Sequence, residues 1–208
     1  NSAGINRPQK SVDVTETNWD DVLNINLKML FFVSQEAGKI MIKQGGGKII
    51  HISSQAGLVA LPLRSAYCSS KGGVNQLTRT LACEWAPHHI TVNAVAPTFV
   101  RTPFTEKMFE DEDFKKYVID SIPLGRMATA DEIAYATLFL ASDLSNMITG
   151  HILTVDGGWT IKDFVEGCRA EGILPLLYHT TLDWYQKSFS DDFDAYLDYL
   201  HKSVEVLC

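Results

Sequence analysis

Ser54, Tyr67 and Lys71 are the residues whose types and spacing could do chemistry together. Tyr67 and Lys71 stand at i and i+4, so on a helix they share one face and the ammonium can sit beside the phenol. A free tyrosine titrates near pH 10, about three units above neutrality, and a neighbouring cation favours the phenolate, which brings proton exchange with a substrate oxygen within reach. Tyr67 is then a general acid or base. Ser54 lies just past an apolar run, where functional groups collect in open parallel sheets, and its hydroxyl can bond the same substrate oxygen. Taken alone, a Tyr-x-x-x-Lys pair is also what an ordinary exposed helix carries, so the surrounding elements decide.

Those elements alternate between helix-period and strand-like segments from the first residues to about Thr160, the pattern of a parallel α/β sheet. Apolar periodicity through Trp19, Val22, Leu23 and Leu30 predicts a helix over 18–43 with Thr17 as N-cap, stopped by Gly45-Gly46-Gly47. Ile49-Ile50-His51-Ile52 reads as a strand buried on both faces, 66–85 as a helix carrying Tyr67 and Lys71, and 90–95 as a second buried strand before Pro97. Residues 98–127 look irregular and suit a mobile lid. Thr129 and Glu132 have capping-box spacing and open a helix to about Ser142; a strand 152–155 and the turn Asp156-Gly157-Gly158 follow.

Composition narrows the function further. The chain has 208 residues, 46% of them hydrophobic, and a net charge of -7, so it can bury a sizeable core and offers no basic patch for nucleic acid. No apolar run approaches the roughly 20 residues that span a bilayer, and no leader is visible, so the expectation is a cytoplasmic protein without a membrane partner. Cys68, Cys83, Cys168 and Cys208 form no C-x-x-C pair, which fits reduced thiols and no metal. His51 and Cys68 read as buried structural groups, and Glu110 to Asp113 as a solvated run without ligand geometry.

In chain order, Asn1-Ser2-Ala3-Gly4, Asn26 within Asn24-Ile25-Asn26-Leu27, Ile52-Ser53-Ser54, Tyr67-Cys68-Ser69-Ser70-Lys71, Asn93-Ala94-Val95-Ala96-Pro97, and Thr149-Gly150-His151 through Asp156-Gly157-Gly158 resemble the short-chain dehydrogenase/reductase family over about residues 1–160. The resemblance implies an oxidoreductase that transfers hydride between NAD or NADP and a secondary alcohol or ketone. It implies a catalytic tetrad of Asn26, Ser54, Tyr67 and Lys71, with Asn26 holding a water that links Lys71 to solvent. Cofactor contacts would come from Asn1, Ala3, Gly4, Tyr67, Lys71, Pro97, Val100 and Thr102. Ser2 departs from the family's asparagine and Thr98 from its glycine. Similarity to gluconate-type dehydrogenases around 43–53 and 149–159 implies a sugar acid or polyol as the small-molecule substrate, with 3-ketoacyl reductases as the alternative. Gln55 and Arg64, between Ser54 and Tyr67, are the expected substrate contacts, Arg64 suiting a carboxylate; the other reading of both is an exposed loop. A homodimer or homotetramer through the two long helices is implied as well.

The family's Gly-rich phosphate-binding turn joins a strand to a helix, whereas Gly45-Gly46-Gly47 follows a helix and precedes a strand. The expected fold is therefore a truncated, doubly wound, Rossmann-like α/β parallel sheet over 1–161, with a C-terminal strand-helix tail over 162–208. A catalytically incomplete fusion fragment without a cofactor site is the competing reading. The residue that separates NAD from NADP follows the family's second strand, so both stand. In the tail, 172–184 reads as a strand and Phe193, Tyr196, Leu197, Leu200, Val204 and Leu207 mark an amphipathic helix. That segment resembles part of barrel-type α-L-fucosidases, in which His179 and Trp184 would line a sugar pocket. It reads either as a foreign segment or as a lineage-specific extension over a sheet edge.

Overall fold

The computed structural model describes residues 2–162 and 166–167. The chain forms two units, Asn1–Gly167 and Cys168–Cys208; the second, with the strand and helix expected at 172–184 and 191–207, lies outside the described residues.

The first helical stretch comprises α1 (Glu16–Leu23), a π-helical turn (Asn24–Lys28) and α2 (Met29–Gln44). Its N-cap is Thr15 rather than Thr17: the extended backbone of Thr15 lets its hydroxyl accept from Asn18 N at 3.2 Å, and Thr17 is already inside the first turn. Gly45 ends α2 in the left-handed region at φ 87°, a conformation that costs glycine no Cβ clash. Gly38 serves contact instead, since a Cβ there would lie 2.8 Å from the Trp85 ring.

Strands β1 (Gly47–Ile52), β2 (Ile90–Pro97) and β3 (Ile152–Val155) form a parallel sheet in that order, with Ile49 opposite Val92 and Ala94 opposite Ile152. The central strand β2 is buried almost throughout, and Ile90, Val92, Ala94, Val95 and Ala96 are 0–1% exposed, as a strand covered on both faces requires. Helix α3 (Ser65–Trp85) joins β1 to β2 and packs Leu81 and Ala82 onto Ile49, Ile90 and Val92. Asn93 pins the far end: its Nδ2 donates to Ile148 O at 2.8 Å and its Oδ1 accepts from His151 N at 3.0 Å.

Residues 98–127, expected to be irregular, contain two capped helices, α4 (Pro103–Met108) and α5 (Glu112–Ser121). Pro103 opens α4 behind a Thr102–Thr105 capping box, a position where the missing N–H costs nothing. Asp111 caps α5 by accepting from Asp113 N and Phe114 N, so part of the acidic run is helix-starting chemistry. Phe99, Phe109, Phe114, Tyr117 and Trp159 pack with ring centroids 5.7–6.3 Å apart and hold these helices against the end of the sheet. Helix α6 (Ala130–Ala141) carries the expected box, Thr129 Oγ1 accepting from Glu132 N and Glu132 Oε2 from Thr129 N. Among the described residues no helix is long and apolar enough to cross a membrane.

Candidate active site

A cavity of about 340 Å³ opens at the C-terminal ends of β1 and β2, where open α/β sheets present their functional groups. Ser54, Tyr67 and Lys71 line it together with Gly4, Gln55, Arg64, Pro97, Val100 and Thr102. Ala3 is not among its lining residues, and Asn1 lies outside the described residues.

Lys71, 4% exposed, reaches along the inner face of α3 and donates from Nζ to Ile52 O at 2.8 Å. Burial lowers its pKa to about 8, because no medium there replaces the water an ammonium prefers. Tyr67 departs from the sequence expectation: its pKa is raised, chiefly by burial, with Cys68 adding to the rise and the Ser54 hydroxyl and Arg64 opposing it. Lys71 Nζ stands 5.8 Å from the Tyr67 ring centroid, over the ring. Ser54 occupies the extended turn after β1, its Oγ accepting from Ala56 N at 3.1 Å.

Asn26 sits behind these groups. Fully buried in the π-helical turn, it accepts from Ile5 N at 2.8 Å and donates to Ile5 O at 2.9 Å and Ser70 Oγ at 3.0 Å. Its side chain thus clamps the Gly4–Ile5 segment to α3. Gly4 lies close to both groups: a Cβ there would make ordinary contacts with Asn26 Oδ1 at 3.4 Å and Lys71 Nζ at 3.7 Å. Asn26 is a positioning residue in this arrangement.

Two groups that sequence reasoning missed fix the Ser54 turn. Ser53 Oγ donates to Asn75 Oδ1 at 2.6 Å, and Asn75 Nδ2 donates to Gly57 O at 3.0 Å. Asn75 stands one helical turn after Lys71 on the same face, so the signal was present in the i, i+4 spacing that singled out Lys71. Arg64 donates to Pro62 O at 3.1 Å and lies 5.7 Å from the Phe114 ring centroid; among the described residues no carboxylate pairs with it. His51 is a buried structural group: its ring nitrogens face Ser34 Oγ at 3.0 Å and Thr78 Oγ1 at 2.9 Å, and burial lowers its pKa to about 4. Cys68 is half-buried, its Sγ 3.9 Å from Leu61 O, and Cys83 is exposed.

Comparison with known proteins gives consistent matches. A family model described as enoyl-(acyl carrier protein) reductase matches residues 1–160. The chain is 44% identical over 165 residues to the NAD-dependent glycerol dehydrogenase of Listeria innocua, spanning 78% of this chain and 63% of that protein. It is 42% identical over 163 residues to the 2-dehydro-3-deoxy-D-gluconate 5-dehydrogenase of Dickeya dadantii, spanning 78% and 64%. Among solved structures it is similar to a gluconate 5-dehydrogenase from Burkholderia cenocepacia in complex with NADP and tartrate, at 34% identity and a TM-score of 0.74 over 76% of this chain and 62% of that one. The chain thus spans less than two thirds of the length of the curated relatives named here.

Proposed function

Because the chain belongs to the short-chain dehydrogenase/reductase family, we propose that it is an NAD(P)-dependent oxidoreductase acting on a secondary alcohol or ketone, with a sugar acid or polyol as substrate. The observation that carries this reading is the convergence of Ser54, Tyr67 and Lys71 with Gly4, Pro97, Val100 and Thr102 on one cavity. Listeria and Dickeya relatives named for glycerol and a deoxy-gluconate support the substrate class.

The residues present fit the nicotinamide end of such a cofactor. An ammonium has three protons to donate, and Lys71 gives one to Ile52 O, which leaves donors for ribose hydroxyls. Thr98 Oγ1, buried and without a hydrogen-bond partner, borders the segment that would meet the carboxamide. Gly4, Lys71, Pro97, Val100 and Thr102 would hold the group. Bound there, it would supply or accept the hydride.

The chain's own residues manage the proton. Tyr67, held protonated at neutral pH by its raised pKa, gives a proton to a carbonyl oxygen during reduction and takes it back during oxidation. Ser54 bonds the same oxygen and orients it. Lys71 keeps its ammonium beside the phenol below about pH 8, favouring the phenolate whenever the proton leaves. Asn26 and Asn75 hold the segments from which these groups project.

Two broader features belong to the same reading. Met29, Phe32, Val33 and Ile40 are 50–63% exposed along α2, and a groove of about 630 Å³ lined by Leu23, Leu27, Phe31, Gly73 and Leu77 runs beside α3; we assign this face to a second copy of the chain. Nicotinamide-linked chemistry also fits a cytoplasmic location. Residues 162–208 we read as an added segment similar to part of an α-L-fucosidase.

The test is direct. The purified chain is titrated with NADH and NADPH by fluorescence, then assayed with glycerol, gluconate and a 3-ketoacyl thioester. Saturable binding and turnover of a hydroxylated substrate are expected, and Tyr67→Phe should lower kcat by roughly a hundredfold or more, as removal of a general acid-base does. Turnover of the thioester alone would favour the acyl-reductase alternative, which the matching family model's description supports. Absence of both binding and turnover would end the oxidoreductase reading for this chain.

A further inference from the structure

Arg64 borders the cavity, yet the contact its guanidinium makes is with an aromatic face. Its Cζ stands over the Phe114 ring, 5.7 Å from the centroid, inside the roughly 6 Å at which the ring quadrupole attracts a cation. Nη1 donates to Pro62 O at 3.1 Å, which fixes one side of the planar head. The backbone that delivers this side chain is bent at a cost. Leu63 holds φ 64°, a left-handed conformation that a residue with a Cβ enters unfavourably, and its side chain is 50% exposed, so packing does not offset the strain. Leu63 O accepts from Gln9 N and Arg64 O from Cys68 N, each at 2.8 Å, so the bend is held before and after Arg64.

Phe114 is as firmly placed. Its backbone N donates to the Asp111 cap of α5 at 3.0 Å, and its ring meets Phe99 edge-on at 5.7 Å and Phe109 at 5.9 Å. Phe99 and Met108, the chain neighbour of Phe109, line the cavity. A strained, fixed cation in the β1–α3 turn thus grips the ring on which the far wall of the cavity leans. We propose that Arg64 is a positioning residue: acting through Phe114, it fastens α4 and α5 to that turn and holds the wall made by Phe99 and Met108 around a bound substrate. The inference rests on the oxidoreductase reading for its ligands, while its geometry stands without it. It also separates two roles for an arginine. One that binds a substrate carboxylate acts on acidic substrates alone, whereas one that fastens the wall acts on every substrate alike.

The test uses the full chain and four variants: Arg64→Met, Arg64→Lys, Phe114→Leu and the double variant Arg64→Met with Phe114→Leu. The first readout is amide hydrogen exchange by mass spectrometry, which needs no substrate. Arg64→Met should speed exchange over 103–121 by roughly twofold to fivefold, the worth of one cation–ring contact, and leave α6 as it is. The conservative Arg64→Lys keeps a cation for the ring and should stay near the wild type. The effect of Arg64→Met should vanish when Phe114 is already Leu. In steady-state assays Phe114→Leu leaves the Arg64 charge in place. It should raise KM for glycerol and gluconate by the same factor, roughly twofold to fivefold, with kcat held within about twofold, the pattern of lost uniform binding. Arg64→Met should raise both KM values alike.

Unchanged exchange over 103–121 in Arg64→Met, or an undiminished effect in the Phe114→Leu background, would overturn the inference and leave the oxidoreductase reading intact. A KM that rises for gluconate alone in Arg64→Met, with Phe114→Leu silent, would overturn it in favour of a carboxylate contact. The expected exchange pattern in a chain that turns over neither substrate would uphold the fastening and end the oxidoreductase reading.

Discussion

Burying a lysine that has no carboxylate partner among the described residues makes the folded state pH-dependent in a direction that can be worked out. The folded pKa of Lys71 is about 8 against an ordinary 10.5, so between those values the unfolded chain binds more protons and stability rises with pH. The stabilisation is fully present above the unfolded value and is lost as pH falls through the folded one. Over the whole window the effect is on the order of 3 kcal/mol. Tyr67 works in the opposite sense, because a raised folded pKa makes stability fall once pH passes about 10. The interval from pH 8 to 10 therefore isolates Lys71. Urea midpoints of the wild type should climb across it, whereas Lys71→Met should start higher at pH 7 and stay flat; a flat wild-type curve would mean the charge is compensated. The i, i+4 spacing from Tyr67 singled this residue out in the sequence. It did not reveal the direction of the shift, since burial is set by neighbours such as Ile52 and Gly4, which lie far from Lys71 in the chain and close to it in space.

At the scale of elements, the turn between β1 and α3 carries the tightest constraint. A Cβ on Gly57 would stand 2.7 Å from both Asn75 Nδ2 and the backbone oxygen of Lys71, so Gly57→Ala must displace the turn that holds Ser54 and Gln55. Overpacking of this kind costs about 1–3 kcal/mol, and activity should drop with it. Gly72 lies in α3 with nothing near its Cβ position, and Gly72→Ala should stabilise the protein by up to about 1 kcal/mol through helix propensity. Paired urea melts and rate measurements check both; equal effects at the two sites would refute the steric account. The same contrast explains what was legible. Helices α2, α3 and α6 announce themselves by apolar period, a stop glycine and a capping box. The π-helical turn has no such marker, because Asn26 is satisfied by Ile5 and Ser70, not by its sequence neighbours. Helices α4 and α5 were hidden because Pro103 and the acidic run look like interruptions until they are recognised as an N1 proline and a cap.

For the molecule as a whole, the outer face of α2 is the feature the described unit does not account for. Met29, Phe32, Val33 and Ile40 are 60%, 50%, 52% and 63% exposed, and their spacing places them along one side of the helix. A row of exposed apolar side chains, interrupted here by the charged Glu36, marks an association site or an aggregation hazard. Helix pairs from two copies can close over it by interleaving these side chains, with Glu36 within the row ion-paired to Lys39 at its edge at 2.7 Å. A stable dimer needs roughly 1,000 Å² or more of buried surface, which the lengths of α2 and α3 can provide. Light scattering on the wild type should give a dimer or a tetramer at micromolar concentration. Phe32→Lys combined with Ile40→Glu should give a monomer that retains its helix content, because both side chains point away from the core formed by Ile49, Leu81 and Val92. If the double variant keeps the wild-type mass, association runs through another surface and the assignment of this face fails; if the wild type is already a monomer, the apolar stripe has a different occupant.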